Sequence, residues 1–294
     1  MSSPNNIFRI VFYLNLKPLS LLPPGALFIL SDILYWGMMA TVPYRAKVVN
    51  QNLKLAYPLK TNKERKEIAR KFYRHFCDLL AESIKLFSIK QSEAIRRFKV
   101  TNPDLLEHLA LKGKSAILVG GHYQNWELFA VATAPQIKHT LLGIYTPLTN
   151  PFMEGKFAQS RSKFGLVLVP KKRTKSFFDT FKNQLTITTF AIDQCPRKDQ
   201  KVYWTQFLGV ETAVHFGAEK YAREYDYAVV YGSAVKTRRG YYELTLEVLE
   251  HNPRETKEGE ITEKHTKKLE QQILAAPQYW LWTHKRWKLS KNTP

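Results

Sequence analysis

His122 and Glu127 are the two side chains whose types and spacing suit proton transfer. Both lie in the stretch SAILVGGHYQNWELFAVATA, residues 115–134. Its apolar run Ala116–Val119 predicts a buried strand, Gly120-Gly121 a turn, and Trp126, Leu128, Phe129, Val131 and Ala132 a helix. In one continuous helix, positions five apart stand about 140° from each other and cannot share a proton. With His122 in the turn and Glu127 in the first helical turn, the carboxylate reaches back to the ring. It then holds one tautomer and leaves the other ring nitrogen as a general base. The same residues also fit a plainer reading: a turn histidine followed by an acid that favours a helix N-terminus. No second histidine lies close enough for a helical zinc motif, and neither Cys77 nor Cys195 has a partner at metal-ligand spacing. No metal or cofactor is expected.

The elements that must position this pair follow from the flanking patterns. Residues 61–90 carry Ile68, Phe72, Phe76, Leu79, Leu80, Ile84 and Phe87 near helical spacing, with Thr61 or Asn62 as cap. Glu82 on this helix is a candidate polar residue near the site, with no role fixed by the sequence. A strand is predicted over 139–145, then a helix opening at Asn150-Pro151 and running to Gly165. Arg161 on that helix has the charge to hold a phosphate or a developing oxyanion, or simply to face solvent. LTITTFAI (185–192) is β-branched and ends in Asp193-Gln194, polar groups at the edge where open α/β sheets bind ligands. Two further strands are predicted over 227–233 and 241–249, and a helix over 261–275.

GGHYQNWE resembles the His-x4-Asp/Glu block of the lysophospholipid acyltransferase superfamily, and its form is most similar to the lipid A late-acyltransferase branch. Three further stretches resemble blocks of that family in the same order: NPFMEGKFAQSRSKFG with Arg161, the Asp193-Gln194 pair, and Phe207 to Gly217 with Gly209 and Thr212. The segment 44–58 and the end PQYWLWTHKRWK (277–288) are similar as well. The resemblance implies an α/β fold with a mixed central sheet surrounded by helices. It also implies acyl transfer from an acyl thioester to a lipid hydroxyl, with His122 as base and Glu127 as its orienting acid. Arg161, Asp193, Gln194, Gly209 and Thr212 become candidate substrate-binding residues; a structural role suits Gly209, Thr212 and Gly217 at least as well, with Thr212 as a cap for the following helix. The donor would be an acyl carrier protein or coenzyme A thioester, and the acceptor a lipid A precursor or related glycolipid. The place implied is the cytoplasmic face of the bacterial inner membrane.

Composition adds partners. Lysine and arginine number 45 against 25 acids, a net charge of +20 that favours an anionic partner: a bilayer face, an acidic protein or nucleic acid. Residues 7–43 are the most apolar part, interrupted by Pro23-Pro24-Gly25. They read as a membrane-associated helical anchor, interfacial, re-entrant or with one short span, over 1–43, followed by an acyltransferase domain over 44–294. A buried, water-soluble helix pair is the other reading. The cluster Lys171-Lys172-Arg173 with Lys175 suits a solvated face, anionic head groups or an acidic carrier. Tyr279, Trp280, Trp282 and Trp287, interleaved with Lys285, Arg286 and Lys288, read as an aromatic, basic tail for a membrane interface. Single-stranded RNA would suit the same tail, so a non-catalytic basic membrane-surface or RNA-binding protein is the competing class. That class leaves the strand-Gly-Gly-His-x4-Glu unit unexplained, and on the acyltransferase reading no nucleic acid partner is expected.

Overall fold

A computed structural model describes residues 4–41, 43–289 and 291. The expected segments 1–43 and 44–294 also take in residues 1–3, 42, 290 and 292–294, which lie outside the described residues.

The chain begins with a helical run in three parts: α1 (Pro4–Val11), a π-helical turn (Phe12–Leu16) and α2 (Lys17–Leu21). Pro23-Pro24 breaks it, and α3 (Pro24–Ala40) and α4 (Ala46–Ala56) follow. The long α5 (Asn62–Lys85) starts at a capping box, in which the Glu64 amide donates to Thr61 Oγ1 at 3.3 Å and the Thr61 amide to Glu64 Oε2 at 2.7 Å. Then come α6 (Gln91–Arg97), β1 (Phe98–Val100), α7 (Asp104–Leu111), β2 (Ala116–Gly120), α8 (Trp126–Ala132), β3 (Thr140–Tyr145), α9 (Pro151–Ser162) and β4 (Val167–Pro170). The second half runs α10 (Thr174–Phe181), β5 (Thr186–Ala191), β6 (Val202–Phe207), β7 (Val210–His215), α11 (Gly217–Tyr225), β8 (Ala228–Arg238), β9 (Tyr241–Glu250) and α12 (Glu260–Ala275).

Seven strands form one mixed sheet in the order β1-β9-β8-β2-β5-β3-β4. Every neighbouring pair is parallel except β8 and β9, which form an antiparallel hairpin. The predicted α/β fold with a mixed sheet among helices is therefore what the chain adopts. β2 is central and apolar on both faces, as a covered parallel strand must be. Ile117 and Val119 face a core built with α4, α5, α11 and α12, while Ala116 and Leu118 face one built with α6, α7 and α8. Full burial of each large side chain here contributes about 1.5–3 kcal/mol. β6 and β7 form a separate hairpin.

Three expectations need correction. Thr212 does not cap a helix: it lies within β7, and the helix begins only at Gly217. Gly209 is a turn residue. Phe207 pairs with Val210, so Leu208 and Gly209 form a two-residue hairpin loop with φ of 53° and 74°, the positive pair that a twisted hairpin requires. The aromatic tail is not presented to a membrane or to bases. Trp280, Trp282 and Arg286 are each no more than 2% exposed. Asn52 on α4 pins this segment by donating to the carbonyls of Trp282 and His284, both at 2.8 Å.

No helix among the described residues is long and apolar enough to cross a membrane. Instead α3 packs one face on α5 through Leu27, Ser31 and Tyr35 and leaves Ile29, Ile33 and Trp36 more than 60% exposed. The segment is fastened by polar contacts. Ser31 donates to the buried Asp78 at 2.8 Å, Arg74 pairs with Asp32 at 2.9 Å, and Arg239 reaches Asp78 at 2.6 Å. Lys85 Nζ holds the carbonyls of Ser20 at 3.1 Å and Leu22 at 3.0 Å, in the last turn of α2 and the linker after it.

Replacing Asn52 with Ala strips two buried carbonyls of their donor. Chemical denaturation should show a loss of about 2 kcal/mol.

Candidate active site

β2 and β5 are parallel neighbours, and their last paired residues are Gly120 and Ala191. The amide of Ile192 continues the ladder by donating to the Gly120 carbonyl at 2.9 Å. His122 and Asp193 each stand two residues beyond this final pair, so both leave the sheet at one place. His122 Nδ1 lies 2.8 Å from Asp193 Oδ1. The other oxygen, Oδ2, accepts from the indole N–H of Trp280 at 2.9 Å. Gly121 makes room for the approach, because a Cβ there would lie 2.8 Å from Leu269 and 3.4 Å from Asp193 Cβ.

The loop after His122 is clamped by the C-terminal segment. Leu281 donates its amide to the His122 carbonyl at 3.2 Å, and Gln124 donates its own to the Tyr279 carbonyl at 3.0 Å. Tyr123 and Trp280 form an antiparallel bridge. Gln124 has φ 57°, a left-handed conformation that turns the loop toward α8. Asn125 caps α8, accepting from the Leu128 amide at 2.8 Å, and its amide group donates to Glu82. Glu82 also accepts from Tyr242 at 2.8 Å, and burial pushes its carboxyl up to about 7.

Glu127 does not hold the histidine. Its carboxylate takes a bidentate pair from Arg161, Nε to Oε2 at 2.8 Å and Nη2 to Oε1 at 2.6 Å. Planar fork-to-carboxylate pairing is the strongest arrangement open to either group. From the first turn of α8, Glu127 reaches toward α9. The pair still adjoins the ring, for both charges act on His122. The acid on the imidazole is Asp193.

Burial opposes charge on His122, but the Asp193 charge and hydrogen bond outweigh it and hold the imidazole above its ordinary value. For Asp193, burial raises the carboxyl, yet His122 and the Trp280 donor overcome it and hold it at about 2. An ionised carboxylate only accepts, so Nδ1 carries the proton and Nε2 carries the lone pair. Nε2 faces the side-chain amide of Gln194 at 3.4 Å. The ring is about one-fifth exposed, against 3% for Asp193, so solvent and substrate reach the histidine and not the acid behind it.

The expected residues thus divide. His122, Asp193 and Gln194 form one cluster, with Glu127 and Arg161 beside it. Gly209 and Thr212 do not join it as ligand groups. The Thr212 hydroxyl donates to the Val210 carbonyl at 2.7 Å and accepts from Trp287 at 2.8 Å, at 1% residue exposure. Trp280, Tyr279, Asn125 and Asn52 were not legible as site residues. His284 accepts the Cys195 amide at 3.0 Å, and burial lowers its imidazole to about 4, which suits a neutral acceptor.

This geometry can take a proton at Nε2 and hold the resulting imidazolium against a buried anion. Comparison with known proteins identifies acyltransferases as relatives. The chain is 22% identical over 246 residues to the lipid A biosynthesis palmitoleoyltransferase of Escherichia coli (strain K12), covering 83% of this chain and 79% of the relative. The lipid A biosynthesis acyltransferase of Shigella flexneri matches to the same extent. Residues 7–289 match the family described as bacterial lipid A biosynthesis acyltransferase. That match runs from the exposed N-terminal helices through the His122–Asp193 pair to the tryptophan segment that braces it, and the chain belongs to the bacterial lipid A biosynthesis acyltransferase family.

Proposed function

We propose that this protein moves a fatty acyl chain from an acyl thioester, carried on acyl carrier protein or coenzyme A, to a hydroxyl of a lipid A precursor. His122 is the general base. The observation that carries the reading is the 2.8 Å contact of His122 Nδ1 with a buried, indole-braced Asp193. The acceptor hydroxyl gives its proton to Nε2 while its oxygen attacks the thioester carbonyl carbon. The tetrahedral oxyanion collapses, the carbon–sulfur bond breaks, and the imidazolium returns its proton to the departing thiolate. Asp193 keeps the ring in one tautomer and stabilises its charged form. Gln194 borders the reacting nitrogen. Arg161 uses two of its five N–H groups on Glu127, and the others are suited to the oxyanion or to a substrate phosphate.

The protein acts at the cytoplasmic face of the inner membrane, lying on the bilayer through its N-terminal helices. Ile7, Ile10, Leu14, Ile29, Ile33 and Trp36 are each more than half exposed, a density of apolar surface that suits an interface. The competing RNA-binding class drew on the tail aromatics, and buried Trp280 and Trp282 have no face for a base.

The deciding experiment is acyl transfer in membranes with labelled acyl thioester donors and mass spectrometry of the lipids. Wild type should produce an acylated glycolipid, and His122→Ala should lower turnover by roughly 10²–10⁴-fold. Equal product from both proteins would remove the base.

The pH profile separates the two acids. A base must be neutral, so kcat/KM should fall as pH drops through the His122 value, which lies above the ordinary 6.5. Asp193→Asn should move that acid limb to lower pH and reduce turnover. Glu127→Gln should move the limb less, because its charge is a smaller influence on the ring than Asp193.

Membrane attachment has its own check. Ile29→Glu with Ile33→Glu should leave the fold intact, both residues being 63% exposed, and should shift the protein from the membrane pellet to the supernatant. Unchanged sedimentation would rule out α3 as the attachment face.

A further inference from the structure

The turn between β2 and α8 is strained. Gln124 is a non-glycine residue at φ 57°, a conformation that persists only where its surroundings over-determine it. On the His122 side those surroundings are the C-terminal segment, through the Leu281 amide on the His122 carbonyl and the Gln124 amide on the Tyr279 carbonyl. On the α8 side the turn ends at Asn125, 1% exposed, whose side chain makes two contacts at once. Its Oδ1 accepts the Leu128 amide at 2.8 Å and so caps the helix. Its Nδ2 donates to Glu82 Oε2.

Asn125 cannot set this orientation alone. Turned over by half a rotation, its carboxamide keeps its size and shape but sets its NH2 against the Leu128 N–H, donor against donor, and the cap is lost. An acceptor placed at the nitrogen end prevents this, and Glu82 is that acceptor. Tyr242, the other group on Glu82 Oε2, reaches it at 2.8 Å. Burial and the Glu82 charge hold the Tyr242 phenol well above its ordinary value, so it too is a donor. The second carboxyl oxygen of Glu82, Oε1, is shut off from solvent and has no hydrogen-bond partner among the described residues. One oxygen therefore serves both donors. A proton taken up by the carboxyl goes to the idle oxygen and leaves Oε2 accepting, so a neutral amide in place of the acid serves equally well.

We infer that Glu82 is a positioning residue for the His122 turn: by orienting the Asn125 amide it fixes where the turn enters α8, and with it the place of Glu127 and Arg161 beside the imidazole. The frame to which it refers the turn is α5. Asp78, four residues before Glu82 and on the same face, accepts from Ser31 of α3 at 2.8 Å. One face of α5 thus carries both the apolar N-terminal helix and the His122 turn. The effect on turnover rests on the reading of His122 as a base; the effect on the turn stands apart from it.

The test compares Glu82→Leu, Glu82→Gln and Asn125→Ala in the full chain, by amide hydrogen exchange and by acyl transfer. Leu128 should exchange about fivefold faster or more in Glu82→Leu, as loss of a cap requires. In the same variant kcat should fall roughly 10–100-fold with KM little changed, the cost of a small misplacement at the reacting centre. Glu82→Gln should restore both to near the wild-type level. Glu82→Leu combined with Asn125→Ala should be no slower than Asn125→Ala alone, because both changes break one chain of contacts. A packing role for Glu82 would instead add its loss to that of Asn125. Wild-type exchange at Leu128 in Glu82→Leu, or a Gln variant as impaired as the Leu variant, would overturn the inference. So would wild-type turnover in Glu82→Leu where His122→Ala is inactive. If His122→Ala itself turns over like wild type, the base reading fails, and the exchange measurement still decides whether Glu82 sets the turn.

Discussion

A carboxylate only 3% exposed stays ionised because each of its oxygens is occupied: one by His122, the other by the Trp280 indole. Burying an unpaired anion costs several kcal/mol. Here burial works for the site, since it excludes the water that would screen the attraction between Asp193 and the imidazole. Everything that brings these three groups together therefore sets the geometry of the candidate site. The β2–β5 register sets the separation of histidine and acid, Gly121 allows the close approach, and the paired loops around Tyr123 and Trp280 deliver the indole.

The local pieces of this arrangement were legible, and the long-range ones were not. A strand, a glycine turn and a helix around His122 follow from periodicity. So does a β-branched strand ending in Asp193-Gln194. That the two strands are neighbours does not, because strand order is decided by packing across a sequence separation of 71 residues between His122 and Asp193. Reasoning from spacing therefore gave the histidine the acid five residues away. In the fold, Glu127 has Arg161, a partner whose planar fork matches its carboxylate. The tail was misread for a different reason. Aromatic and basic residues in alternation make an interface when exposed and a braced core when folded back. Only the contacts of Asn52 and Trp280 distinguish the two. At the other end, the break at Pro23-Pro24 was visible, and the helix after it, α3, runs for 17 residues.

The N-terminal helices are joined to the sheet by charge as well as by packing. Asp78 on α5 is the meeting point: Ser31 comes from α3, Lys236 from β8, and Arg239 from the turn of the β8–β9 hairpin. Three elements that converge on one buried carboxylate are hard to separate, since removing any donor leaves the acid short of partners. The apolar face of α3 is thus rigidly referenced to β8, and β8 is the direct neighbour of the strand that ends at the His122 turn. Lying on a surface through α3 orients the sheet at the same time.

Trp280 is 87 residues beyond Asp193, and a ribosome working at 5–20 residues per second needs roughly 4–17 s to cover that stretch. During that interval a nascent chain already possesses the histidine and the acid, but the acid lacks its second donor and the loop after His122 lacks its clamp. The apolar N-terminal helices, made earlier, are already complete in the same period. Order of synthesis therefore separates formation of the exposed apolar face from completion of the His122–Asp193 cluster, and a product cut short before Trp280 carries that face without the brace on Asp193.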